Sequence, residues 1–162
     1  MEMGPENLIR VLRERFPGRI RDVSSADGDV DMSLGEWDLR RVCEFLKTAP
    51  GSFGLLLDVT CVDYRKDSGA FEMVYHLLSM ENRFRVRIRI RLPGDGPVID
   101  SLTALWKNAD WLEREVYDMF GIRFNGHPNL KRILMYEGFE GHPLRKDYPL
   151  KRRQERKDGG LT

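Results

Sequence analysis

Residues 113–118, Glu-Arg-Glu-Val-Tyr-Asp, crowd three carboxylates into six positions. That is enough acid for metal ligation or for a general acid and base. On a helix Glu115 and Asp118 would share one face. The same register sets Arg114 and Asp118 four apart with opposite charges, which predicts an ordinary ion pair. A carboxylate-bridged di-iron centre would need Glu-x-x-His from two helices, and the sequence contains none. The favoured reading is therefore structural or interfacial ion pairing.

The histidines are His76, His127 and His142. His76 lies in strand-like sequence and reads as a sheet residue. His127 and His142 precede Pro128 and Pro143, which biases both towards extended backbone. They could approach one another, but two imidazoles without a third ligand make a poor zinc site. Each is expected to hydrogen-bond locally and hold a turn. Cys43 and Cys61 fit no metal or redox spacing and read as small buried hydrophobes. No serine has a nucleophile-elbow context, and no glycine-rich loop matches a phosphate or dinucleotide fingerprint. No means of holding NADH, a flavin or an iron–sulphur cluster is legible.

The elements that must position these groups follow from periodicity. Pro5 suits a first helical turn and Gly18 a stop, with Leu8, Leu12 and Phe16 along one face. A turn-rich Ser-Ser-Ala-Asp-Gly-Asp patch precedes a short strand near residues 30–34. A helix with Leu39, Val42, Cys43 and Leu46 inward then runs to Pro50-Gly51. Three strands follow, over residues 53–64, 71–80 and 84–92. The last alternates Val86, Ile88, Ile90 and Leu92 with Arg85, Arg87, Arg89 and Arg91, the period of a strand with one buried face. Short turns between the three predict antiparallel hairpins. Residues 109–121 read as a helix with Asp110 as N-cap, Glu113 completing a capping box and Gly121 as the stop. Beyond Ile122 both helix and strand signals fade.

The expected fold is α+β in two layers: helices packed on one mixed or antiparallel sheet of about five strands, with an extended C-terminal tail. Residues 1–140 form the domain and 141–162 a basic tail. Residues 141–157 hold two prolines, seven Lys or Arg and two acids, with Leu144, Tyr148 and Leu150 as intermittent anchors. Such a segment cannot join the middle of a sheet. It loses much conformational entropy on ordering unless it docks on something, so a partner-docking strap leads over a solvated tail or an RNA or membrane contact.

Across all 162 residues, 41% are hydrophobic and 33% charged, with net charge +1, which excludes a disordered chain and demands no polyanion partner. The N-terminal residues lack the apolar core of a signal peptide. No run approaches the roughly 20 apolar residues of a membrane span.

Residues 109–150 resemble the signature region of the C-type subunit of proton-pumping NADH-quinone oxidoreductase, the respiratory complex I 30 kDa subunit family. The resemblance rests on Trp-x-Glu-Arg-Glu-x-Tyr-Asp-x-Phe-Gly-Ile at 111–122, on His127-Pro128, on Arg132-Ile133-Leu134, and on Gly-His-Pro-Leu-Arg-Lys-Asp-Tyr-Pro-Leu at 141–150. Strand-like segments upstream extend it over most of residues 35–150. The resemblance implies a non-catalytic subunit of the peripheral arm, on the cytoplasmic face of the bacterial inner membrane and attached only through partners. FMN, Fe–S clusters and quinone would be bound by other subunits. Partners would be chiefly the D-type subunit, beside which quinone is reduced, with the B-type and I-type subunits, and no nucleic acid. His142, Pro143, Leu144, Arg145, Lys146, Asp147, Tyr148, Pro149 and Leu150 would dock on the D-type subunit. Glu113, Arg114, Glu115, Tyr117, Asp118, Gly121, His127, Pro128 and Arg132 would serve structure and assembly, with Arg114 and Asp118 as an assembly pair. Equivalent subunits occur in membrane-bound hydrogenases and deazaflavin-dependent dehydrogenases. A stand-alone RNA-binding protein is the alternative from a different class.

Overall fold

The computed structural model describes residues 3–48, 51–151 and 154. Helix α1 (Pro5–Arg15) starts with proline in its first turn and buries Leu8, Ile9 and Leu12. An antiparallel hairpin follows, β1 (Ile20–Ala26) and β2 (Asp29–Leu34). Its two-residue turn holds Asp27 at φ 53° and Gly28 at φ 84°, the doubly left-handed geometry that Asp-Gly favours. The sequence patch read as a turn is thus a hairpin tip, and β1 was not expected. It is an edge strand with only Ile20 and Val23 half-buried, so it carries no alternation to detect.

A 3-10 turn (Glu36–Asp38) leads into α2 (Leu39–Thr48), whose buried residues are the expected Leu39, Val42, Cys43 and Leu46. The expected stop at Pro50 lies outside the described residues. Then come β3 (Leu55–Tyr64), the one-turn α3 (Arg65–Ser68), β4 (Ala70–Ser79) and β5 (Phe84–Pro93). The expected hairpins form: β3 pairs antiparallel with β4, and β4 with β5. Closure against the first hairpin is parallel, β2 on β5, giving a mixed sheet of order β1-β2-β5-β4-β3.

The inward side chains of the sheet join one core with α1, α2 and the last helix, α4 (Ala109–Phe120). Val86, Ile88, Ile90 and Leu92 are buried while Arg85, Arg87 and Arg91 are exposed, as the alternation requires. Asp31 binds the guanidinium groups of both Arg87 and Arg89, so one carboxylate serves two members of the arginine row. The margin at β3 is covered by Trp106, whose indole N–H donates to Gly54 O at 3.1 Å, and by Asn108, whose amide donates to Leu56 O at 2.8 Å. Two short strands, β6 (Val98–Asp100) and β7 (Arg123–Asn125), pair in parallel around α4. At three residues each they are too short to show a period. Among the described residues, no helix is long and apolar enough to cross a membrane.

Candidate functional site

The signature residues gather at the two ends of α4. At its C-terminal end Gly121 adopts φ 76°, and its N–H donates to Tyr117 O at 2.8 Å, closing the helix as expected. One turn earlier Asp118 is fully buried. Its Oδ1 accepts from Arg132 Nη1 at 2.6 Å. Its Oδ2 accepts three backbone N–H groups, from Ile133 at 3.0 Å and from Leu134 and Met135 at 2.8 Å each. Arg132 in turn donates to Phe139 O at 2.9 Å and Gly141 O at 3.0 Å. One carboxylate therefore gathers an entire irregular segment. Burial by itself would raise the Asp118 pKa, but the donors from Met135, Arg132, Leu134 and Ile133 outweigh it and hold the group below the ordinary carboxylate range.

This corrects the expected Arg114–Asp118 pair. Arg114 turns to the same segment by another route, donating to Lys131 O and Arg132 O at 3.1 Å each and stacking on the ring of Trp111 at 5.4 Å. Four-residue spacing favours pairing only where both side chains lie on the helix surface. Asp118 faces inward, where four donors neutralise it more completely than one arginine could. Glu115 stays exposed and does not join Asp118.

Residues 142–150 fold back on this end of the helix. His142 donates from Nδ1 to Asp118 O at 2.9 Å, and burial lowers its pKa. Its ring stands edge-on to Tyr117 at 6.3 Å. Leu144 N donates to Met119 O at 3.1 Å, and Arg145 Nε to Phe120 O at 2.5 Å. Lys146 N donates to Asp63 Oδ2 at 2.8 Å. Asp147 meets Arg65 at 2.9 Å, and Tyr148 stacks on Phe139 with ring centroids 6.0 Å apart. Arg65 is the hub, pairing also with Asp63 at 2.8 Å and with Asp95, and lying over the Phe71 ring. The Arg65 hydrogen bond, helped by the backbone of Lys146, holds Asp63 well below the usual carboxylate range despite its burial. Residues 142–150 were expected to dock on the D-type subunit; within this chain residues 142–148 pack on its own domain. Half-buried Pro143 and exposed Pro149 punctuate the segment, and Leu150 is wholly exposed. Apart from Lys151 and Gln154, the tail beyond residue 150 lies outside the described residues.

The close fit has a consequence at Gly121. A Cβ there would lie 2.6 Å from both Arg145 Nη2 and His142 Nε2. Gly121→Ala is expected to cost about 1–2 kcal/mol from left-handed backbone strain and to push residues 142–145 off the helix end. Tryptic cleavage after Arg145 and Lys146 would then accelerate; an unchanged cleavage rate would contradict this packing.

At the N-terminal end of α4 the cap is Asn108, not Asp110, and its side chain makes no capping hydrogen bond. Glu113 does not close a capping box but turns inward, fully buried. Its Oε2 accepts from Ser101 Oγ at 2.6 Å and its Oε1 from Leu102 N at 2.7 Å. Burial pushes its pKa up to about 7, against the pull of those two donors. His127 sits beside it, Nε2 at 4.0 Å from Glu113 Oε2 and 3.5 Å from Asp110 Oδ1. The imidazole holds its own turn as expected, because Nδ1 accepts from Asn129 N at 3.0 Å. Nε2–H then donates to Asp110 O at 3.1 Å, while Pro128 is exposed. His127 binds at Asp110 and His142 at Asp118, eight residues and about 12 Å apart along the helix, so the two imidazoles do not meet. His76 lies in β4 as expected. Cys43 and Cys61 are buried and unpaired, with burial pushing the Cys61 thiol up to about 12.

Asp63, Arg65, Asp95 and Ser101 were not singled out from the sequence. Arg65 and Asp147 are 82 positions apart, and nothing local marks them as partners.

These buried carboxylates all hold backbone. The fold and the site together define an α+β module, a five-stranded mixed sheet whose last helix and following loops are tied down by Asp118 and Arg65. Residues 33–154 match the family described as the respiratory-chain NADH dehydrogenase 30 Kd subunit, and the chain belongs to it. The second C-type NADH-quinone oxidoreductase subunit of Rhizobium etli is 48% identical over 141 residues, covering 86% of this chain and 75% of that protein. The C-type subunit of Geobacter metallireducens NADH-quinone oxidoreductase is 45% identical over 140 residues, covering 86% of each. The solved trypsin-resistant fragment (1-134) of Nqo5 superposes with a TM-score of 0.65 at 32% identity, covering 76% of this chain and 98% of the fragment. A chain of an archaeal membrane-bound sulfane sulfur reductase shares the fold, with a TM-score of 0.76 over 96% of this chain and 98% of that one, at 24% identity.

Proposed function

We propose that this chain is the non-catalytic C-type subunit of a proton-translocating NADH-quinone oxidoreductase, held in the peripheral arm on the cytoplasmic face of the bacterial inner membrane. Electrons pass from NADH through FMN and Fe–S centres to quinone in other subunits. This chain fixes the geometry of its neighbours, chiefly the D-type subunit at the quinone site, with the B-type and I-type subunits adjacent. Family membership supports the setting, and one observation supports the role. Residues 142–148 are already held in place, by Leu144 N and the His142 and Arg145 side chains on α4 carbonyls and by Asp63 and Arg65 beyond it, while Leu144 is 54% exposed and Leu150 fully so. A segment ordered before contact surrenders less entropy when a partner docks. His142, Arg145 and Tyr148 hold the segment in place, and Leu144, Lys146 and Leu150 face outward towards the D-type subunit.

Leu144→Asp tests this cleanly, because the side chain is largely exposed and its substitution leaves the backbone contacts intact. The expected result is an unchanged melting temperature for the isolated chain, with recovery of the D-type subunit in co-purification falling at least tenfold. Undiminished recovery of that subunit would remove residues 142–150 from the interface.

A further inference from the structure

The helices share their core with one face of the sheet, and the other face carries Leu78, Val74 and His76 on β4 beside the arginines of β5. At one end of that face the register sets Leu55, Leu78 and Arg85 side by side. Met80, just past the end of β4, is 68% exposed. Together with Arg83 and Asp29, residues Leu78, Met80 and Arg85 line a cleft of ≈ 580 Å³.

The charges there are unbalanced. Arg87 and Arg89 are held by Asp31, and Arg91 lies 3.7 Å from Glu72. Among the described residues, no carboxylate approaches the guanidinium of Arg83 or Arg85 within 4 Å. Asp29 lines the same cleft, its Oδ1 accepting the Arg85 backbone N–H at 2.7 Å, so the lining sets two guanidinium groups against one carboxylate. Glu81 belongs to the same turn but does not line the cleft.

The turn that presents these groups is fixed. Asn82 donates from its side chain to Ser79 Oγ at 3.0 Å and to Gly51 O at 3.1 Å, and accepts from Met3 N at 2.9 Å. Arg83 N donates to Ser79 O at 2.9 Å, with Arg83 at φ 55°. The cleft therefore combines an adaptable apolar floor with two unpaired guanidinium forks on rigid backbone. Met and Leu accept varied aliphatic or aromatic side chains, and the forks match carboxylates. Single-stranded nucleic acid would want exposed aromatic rings to stack on, but the one ring here, Phe84, is buried.

We propose that this cleft docks an acidic amphipathic segment of a partner protein, seating one apolar side chain against Leu78 and Met80 and presenting carboxylates to Arg83 and Arg85. This site is separate from the strap. Phe71, under Arg65 and Arg145, and Leu78 are seven positions apart on β4, about 23 Å along the strand. The chain thus grips neighbours at both ends of its sheet. The inference rests on the reading above only in taking the partner to be a neighbouring subunit.

The test places a benzophenone amino acid at Met80 of the chain assembled in its native membrane complex, followed by irradiation and sequencing of the joined peptide. The expected product is a protein crosslink whose contact peptide carries Asp or Glu within four residues of the attachment point. Arg83→Glu with Arg85→Glu is expected to lower its yield at least tenfold, with the isolated chain's melting temperature unchanged because both side chains are exposed. Absence of a crosslink, attachment to RNA or lipid, a contact peptide without acids, or a yield indifferent to charge reversal would each overturn the proposal. A second probe at Leu144 reports on the strap separately, so a crosslink there with none at Met80 rejects this cleft alone.

Discussion

Asp118→Ala is expected to destabilise the chain by about 3–5 kcal/mol, the cost typical of breaking a buried charged pair from one side. Three backbone N–H groups, of Ile133, Leu134 and Met135, would lose their acceptor. Arg132, only 22% exposed, would keep a charge with no carboxylate beside it. Each unpaired buried donor carries its own desolvation penalty, so the loss exceeds that of one surface ion pair. In a chain of this size the melting temperature should fall by roughly 10 °C. Amide exchange at residues 133–135 should accelerate more than exchange in β4 and β5. By contrast Arg114→Ala removes two bonds to carbonyls and a ring contact, and its effect on stability should be the smaller of the two. A melting curve for Asp118→Ala that overlays the parent's would refute the proposed locking role.

The second large effect depends on pH. Glu113 titrates near 7 in the folded chain against an ordinary 4.5, chiefly because it is buried. Between those values the folded state keeps a proton that the unfolded chain has released, so stability falls as pH rises through this window. The shift corresponds to about 3 kcal/mol, present in full below pH 4.5 and lost above 7. Other groups act differently. Asp118 and Asp63 are held low, so their contributions disappear only in acid well below this range. His142, lowered by burial, makes stability rise with pH below its ordinary 6.5. The difference between parent and Glu113→Gln isolates Glu113 from all of them. Glutamine is a neutral near-isostere whose amide can still serve Ser101 and Leu102. Relative to the parent, Glu113→Gln should gain about 3 kcal/mol between pH 4.5 and 8, measured by chemical denaturation at each pH. A difference that stays constant with pH would show that Glu113 does not titrate in that interval.

What local pattern can encode was legible. Helices α1 and α2 announced themselves by apolar residues at helical spacing, with Pro5 at the start of α1. Helix α4 was marked by its Gly121 stop and its apolar face. The alternation of residues 84–92 fixed both the strand and its buried face, because a side-chain period of two leaves one assignment. β1, β6 and β7 escaped because edge or three-residue strands bury too little to impose a period. The parallel pairing of β2 with β5 was equally hidden, since it joins segments more than fifty residues apart.

The candidate site divides along the same line. Its members were recognisable as residue types in a motif, but their partners were not. The i,i+4 rule pointed Asp118 to Arg114, and the capping-box rule pointed Asp110 and Glu113 to their own helix end. Both rules describe an isolated helix in water. In the folded chain α4 is covered on its inner side, and a buried carboxylate bonds whatever donors the surrounding backbone brings. For Asp118 these are Arg132 and residues 133–135, and for Glu113 they are Ser101 and Leu102.

The sequence by itself thus determined the family, the α+β class and the long elements. The tertiary structure alone decided whom each charge serves: Asp118 the loop, Glu113 the approach to α4, and Arg65 the strap 82 residues away. Periodicity is a property of neighbours in the chain, whereas burying a charge demands donors from wherever the fold supplies them.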